Sequence, residues 1–245
     1  MTIDLKEKLD ELAAQYNVPA FIENDPVQFP RRYAKQQDIE IAAFLTATIS
    51  WGNRASILKS AEKMLGLMGQ SPNDFILNKG YERLGKKNVH RTFFEHDLYY
   101  LCRGFNHLYT QADSLEELFT QDCCLWKGIE LFRKEISIAN DLKTSKHISN
   151  PGAASACKRL HMALRWLVRR DGIVDIGIWN KISPAALCIP LDTHVARVSR
   201  ELGILNRKAN DRKAVEELTA FLRTLNPEDP AVYDFALFGA GLNRI

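Results

Sequence analysis

The residue in this sequence best placed to do chemistry is Asp192, within Ile189-Pro-Leu-Asp-Thr-His-Val-Ala-Arg-Val198. Pro190 precedes it, and Val195, Val198 and Leu202 follow at helical spacing, so Asp192 is expected at the N-cap of a helix. A cap accepts backbone N–H bonds and so fixes its carboxylate in place and favours the ionised form. An oriented carboxylate can stabilise a cationic sugar or activate water; it can equally do no more than hold the helix start. The sequence leaves both readings open.

Two further segments carry residues suited to a polyanion. In Ser155–Arg170, Ala156, Leu160, Ala163, Leu164, Leu167 and Val168 fall on one helical arc, while Lys158, Arg165 and Arg169 lie within about 20° of one another opposite it. Arg159 and Arg170 flank that stripe and Trp166 borders it, so this face is expected to meet phosphates or bases, or else to be an ordinary solvated face. In Asp38–Met68 a buried helix, a turn at Ser50-Trp-Gly-Asn53 and a second helix from Arg54 are expected. Gly52 and Asn53 suit left-handed backbone, and Trp51 is either core or a wedge for a base stack.

The elements that must position these residues read as all-α. Apolar residues recur at helical spacing over 2–16, 38–50, 54–68, 72–78, 96–112, 114–121, 124–139, 153–170, 175–180, 193–203, 211–225 and 229–240, with no alternation that makes a sheet. Prolines punctuate the chain at the junctions. No apolar run approaches the roughly 18 residues that span a bilayer, and the N-terminus is charged, so a cytoplasmic protein is expected. The cysteines 102, 123, 124, 157 and 188 form no metal-binding spacing and are expected to be reduced, small core residues. Net charge is +3, but residues 146–213 hold 13 Lys and Arg against five acids, leaving −5 for the rest. That concentration suggests a polyanionic partner, because phosphate contacts release counterions.

Together these pieces resemble the helix-hairpin-helix DNA glycosylases of the endonuclease III type. Pro190-Leu-Asp-Thr-His-Val-Ala-Arg-Val198 matches their essential aspartate segment, and Leu45–Asn53 stands where their base-gap-filling element should be, with Trp51 and Asn53 as counterparts. CKRLHMALRWLVRRDG followed by IPLDTHVARVSRELGI is similar to a bacterial family known only as a domain of unknown function, identified as a distant branch of the glycosylases. The resemblance implies a two-lobed helical fold, with one lobe over 36–165 and a second made of 1–35 and 166–245, a cleft between them, and duplex DNA bound to a monomer. The phosphate-holding hairpin corresponds to Asn150-Pro-Gly-Ala-Ala-Ser-Ala156, with Gly152 as its first glycine, Ala154 at its second and Ala156 at its lysine position. Lys158, two residues on, is the nearest amine for a Schiff base. The four-cysteine cluster of many relatives has no counterpart, so no iron–sulfur cluster, metal or other cofactor is expected.

The leading expectation is therefore an enzyme that flips a damaged or mismatched base from duplex DNA and cleaves its N-glycosidic bond. Catalysis would rest on Asp192 and Lys158, and DNA contact on Arg159, Arg165, Arg169, Arg197, Trp51, Asn53 and Gly152. The alternative is a non-catalytic DNA- or RNA-binding protein on the same scaffold, with Asp192 retained as a cap; a third is a helical protein adaptor.

Overall fold

A computed structural model describes residues 2–122 and 124–242; Cys123 lies outside the described residues. The chain forms α1 (Thr2–Tyr16), α2 (Pro19–Glu23), α3 (Gln36–Ile49), α4 (Arg54–Gly66), α5 (Pro72–Leu77), β1 (Asn88–His90), β2 (Phe93–Phe94), α6 (Glu95–Tyr109), α7 (Glu116–Phe119), α8 (Leu125–Ala139), α9 (Lys158–Val168), α10 (Thr193–Glu201), α11 (Arg212–Leu225) and α12 (Tyr233–Leu242). The helical character expected from the periodicity is observed. Three local readings are corrected. The short α2 was not anticipated, β1 and β2 pair as a small antiparallel ribbon, and 175–180 is not a helix. Gly177 takes φ +67, and Ile176, Gly177 and Trp179 donate their N–H groups to the carbonyls of Trp166 and Leu167. That segment closes the C-terminal end of α9 instead of turning on itself.

The chain divides into two compact units, one of residues 1–21 and 150–245, the other of 22–149. The expected boundaries stood at 35 and 165. The second would cut α9, a continuous helix that belongs whole to the first unit.

In the unit of 22–149, α3 is buried from Asp38 to Ile49. Phe44 stacks on Phe132 of α8 at 4.8 Å and on Phe119 of α7 at 5.9 Å, making an aromatic core of the kind that stabilises through area and offset stacking. Glu40 is fully buried yet satisfied. It accepts from Tyr109 Oη (2.8 Å), Ser114 Oγ (2.6 Å) and Leu115 N (3.0 Å), tying the approach to α7 onto α3.

In the unit of 1–21 and 150–245, α1 packs along α12, and α10 packs on α12 as well. At its centre is α9, whose residues Leu160–Val168 are all buried, polar ones included. A helix enclosed on every side must satisfy its charges internally, and that requirement shapes the site. Cys102, Cys157 and Cys188 are buried, as expected, and Cys124 is partly exposed.

Candidate functional site

The approach to α10 is held by the core: Ile189 N donates to Thr219 Oγ1 of α11 at 3.1 Å, and Ile189 and Leu191 are buried. Asp192 then emerges in extended conformation, and its Oδ1 accepts from His194 N and Val195 N, both at 2.9 Å. The N-cap expected from the sequence is observed. Because one oxygen takes both cap bonds, the other is left to a partner. Oδ2 lies 4.0 Å from Nζ of Lys158.

Lys158 is the first residue of α9, following Cys157 in left-handed conformation at φ +47. Its ammonium also sits 3.3 Å from Met162 Sδ one turn on, which steers the side chain along the helix. The side chains of Lys158 and Asp192 are 28% and 41% exposed, so an incoming group has access to both. An ion pair this open adds only about 0–1 kcal/mol to stability. The fold gains little from bringing these two groups together.

Behind them stands a carboxyl that sequence reasoning missed. Asp234, in the first turn of α12, binds Arg165 Nη1. Burial pushes its pKa up to about 6; Asp192 and Asp175 push the same way, against Arg165 and Lys158. Asp234 thus feels the charges of both Lys158 and Asp192.

The cationic stripe expected on α9 does not exist as a surface. Arg165 and Arg169 are 4% and 2% exposed. Arg165 Nε meets Asp175 Oδ1 at 3.3 Å. Arg169 meets Asp175 at 2.5 Å, Asp229 at 2.8 Å and Asp171 at 2.9 Å. Burial alone would lower the pKa of Arg169, but Asp175, Asp229 and Asp171 together raise it. Both guanidiniums also lie over the Phe235 ring, at 4.5 and 5.4 Å. The two arginines are internal struts and are withdrawn as DNA contacts. Trp166 is fully buried too, as are Trp179 and Tyr233, while Phe105 is 1% exposed; none of these rings is open to a base. Asp171 and Asp175 were visible beside α9 in the sequence. Nothing local signalled that Asp229 and Asp234 return to it.

Of the remaining candidates, Arg159 is half-buried, and burial lowers its pKa. Arg197 is exposed and pairs with Glu201 one turn on at 2.8 Å. Gly152 is exposed, but its N–H donates to Asn150 Oδ1 at 3.0 Å, so that amide is already engaged in a turn. Ala154, at the expected hairpin's second glycine, takes φ +58, the left-handed conformation a glycine would adopt there. The loop is fastened to the start of α11, with Arg212 N donating to Ala154 O at 2.9 Å and Ser155 bridging Asp211.

Trp51 and Asn53 belong to the other unit. Gly52 is left-handed as expected, at φ +98, but Asn53 is extended and caps α4 by accepting from Ser56 N at 3.2 Å. Trp51 is partly exposed, stacked on His147 with centroids 5.7 Å apart and edge-on to His90 at 5.0 Å. The structure therefore joins Lys158, Asp192 and, through Asp234, Arg165, all within one unit.

Among the described residues, no helix is long and apolar enough to cross a membrane. One family model, described as "Protein of unknown function (DUF2400)", matches residues 25–243. No curated protein and no solved structure matches the chain.

Proposed function

The chain belongs to the DUF2400 family, and from that starting point we propose that it is a DNA glycosylase-like enzyme of the helix-hairpin-helix type with a lyase step. The observation that carries this reading is the 4.0 Å approach of Lys158 Nζ to Asp192 Oδ2, with the other carboxylate oxygen fixed by two backbone N–H groups. The left-handed Ala154 ahead of α9 supports the hairpin part of the reading.

In this mechanism Asp192 takes a proton from the Lys158 ammonium and so frees its amine to attack. The freed amine bonds to C1′ while the N-glycosidic electron pair leaves with the base, which takes up a proton from the new C–N nitrogen. Opening of the C1′–O4′ bond, with O4′ protonated by solvent, leaves a protonated Schiff base. DNA binding before this step must offset a few kcal/mol of unstacking.

Borohydride reduction in the presence of a duplex bearing one abasic site tests the lyase step. Wild type forms a covalent protein–DNA adduct and Lys158→Gln does not. Against a panel of lesion-bearing duplexes, Asp192→Asn loses base release and keeps DNA affinity. Full base release by Asp192→Asn overturns the assignment of Asp192, and undiminished trapping by Lys158→Gln overturns that of Lys158. A second reading, a nucleic-acid binder without catalysis, is favoured by the engaged Gly152 amide and the internal use of Arg165 and Arg169. Binding by wild type without base release from any duplex of the panel would select it.

A further inference from the structure

The unit of 22–149 carries a basic surface of its own. Residues 54–91 hold eight Lys and Arg against three acids, inside the part of the chain whose remaining charge averages −5. The fold gathers part of this charge at one place. The loop before β1 carries Lys86 and Lys87, and the tip of the ribbon carries Arg91, all three exposed and without an ion pair among the described residues.

This surface is built rather than merely charged. The buried Glu95 anchors the loop, its Oε2 accepting from Gly85 N at 2.8 Å and Lys87 N at 3.4 Å, while its own N–H donates to Lys87 O at 2.9 Å. Lys63 of α4 donates to Asn88 O at 3.0 Å, and Asn88 Nδ2 donates to Arg91 O at 2.6 Å, closing the ribbon tip. His90 links the ribbon to the turn before α4, with Nε2 2.9 Å from Trp51 O and Nδ1 3.0 Å from Ser60 Oγ. Arg91 then lies directly on Gly52: a Cβ there would fall 2.3 Å from its Nη1. The turn with its partly exposed indole, the loop with its two lysines and the ribbon tip with its guanidinium are thus tied together through their backbones, His90 and Arg91.

We infer that Lys86, Lys87 and Arg91, beside Trp51, form a nucleic-acid-binding surface that grips the phosphate backbone of DNA. Guanidinium and ammonium groups supply the phosphate contacts, and a neighbouring aromatic ring can take a base face. The identification of DNA as the nucleic acid rests on the proposed function; the surface itself does not depend on Lys158 and Asp192 reacting.

Anisotropy titration of a fluorescein-labelled duplex across a range of salt concentrations tests it. The variant Lys86→Ala/Lys87→Ala/Arg91→Ala loses at least about tenfold in affinity at low salt, and its log–log salt slope becomes shallower by about 2 to 3, the value for three lost phosphate contacts. All three side chains are exposed, so an unchanged unfolding temperature confirms that the variant is folded. A charge-matched control, Lys127→Ala/Lys134→Ala/Lys143→Ala, binds as wild type. The inference is overturned if the first variant binds as wild type does, if the control loses as much, or if wild type does not bind. Base release by wild type with patch-independent binding sinks only this surface; patch-dependent binding without base release or trapping sinks only the enzymatic reading.

Discussion

Asp192 can be asked separately for its cap and for its charge, because asparagine caps a helix about as well as aspartate does. Asp192→Asn is therefore expected to unfold in urea within a few tenths of a kcal/mol of wild type, whereas Asp192→Ala loses about 1 kcal/mol with the two N–H bonds to His194 and Val195. Equal losses in both variants would mean that the carboxylate charge holds the fold, which removes the argument that the Lys158 approach serves something else. The cap was legible in the sequence because every partner lies within three residues of Asp192. The environment of Arg165 and Arg169 was not, because Asp229 and Asp234 lie at least 60 residues further along the chain. His194 shows the same limit. Its backbone serves the cap, visible locally, while its Nε2 is buried against the distant Gly241 without a hydrogen bond among the described residues.

Helix α9 shows how an amphipathic pattern can mislead at the scale of an element. Its apolar arc faces core as the periodicity says, yet its charged arc faces core as well, and two arginines there meet four aspartates. A sequence pattern records which residues differ in polarity; it does not record whether the polar side is covered by another polar side. Removing one arginine leaves Asp175, itself fully buried, with a partner missing. Arg169→Ala is expected to cost about 3–5 kcal/mol, read as a shifted denaturant midpoint with unchanged slope. Were Arg169 a solvated DNA contact, the same change would leave stability within about 0.5 kcal/mol. The missing helix over 175–180 follows from this arrangement: the segment delivers Asp175 inward and caps α9 with its own N–H groups. The β1–β2 ribbon was invisible for another reason, since two strands of three and two residues are too short to show alternation.

At the scale of the whole molecule, the carboxyls displaced at residues 10, 171, 211, 229 and 234 and the imidazole displaced at 161 belong to the unit of 1–21 and 150–245. Acid should therefore act on this unit, with His161 as the dominant load. Burial, and secondarily the charge of Arg212, push His161 from 6.5 down to about 3. With the folded-state pKa depressed, the unfolded chain binds the proton first, so stability is full above 6.5 and is lost as pH falls toward 3. Asp234 works the opposite way, because its raised pKa makes the folded state gain a proton between about 6 and 3.8 and so returns part of the loss. Replacing the imidazole by a group that does not titrate isolates its share: His161→Gln should be less sensitive than wild type by about 2 kcal/mol between pH 7 and pH 5. Urea titrations of both proteins at the two pH values measure that difference. Trp166 and Trp179, both fully buried in the same unit, supply the fluorescence signal once Trp51 and Trp126 are replaced by phenylalanine. An identical pH dependence in the two proteins would show that His161 is not the buried neutral group its surroundings require.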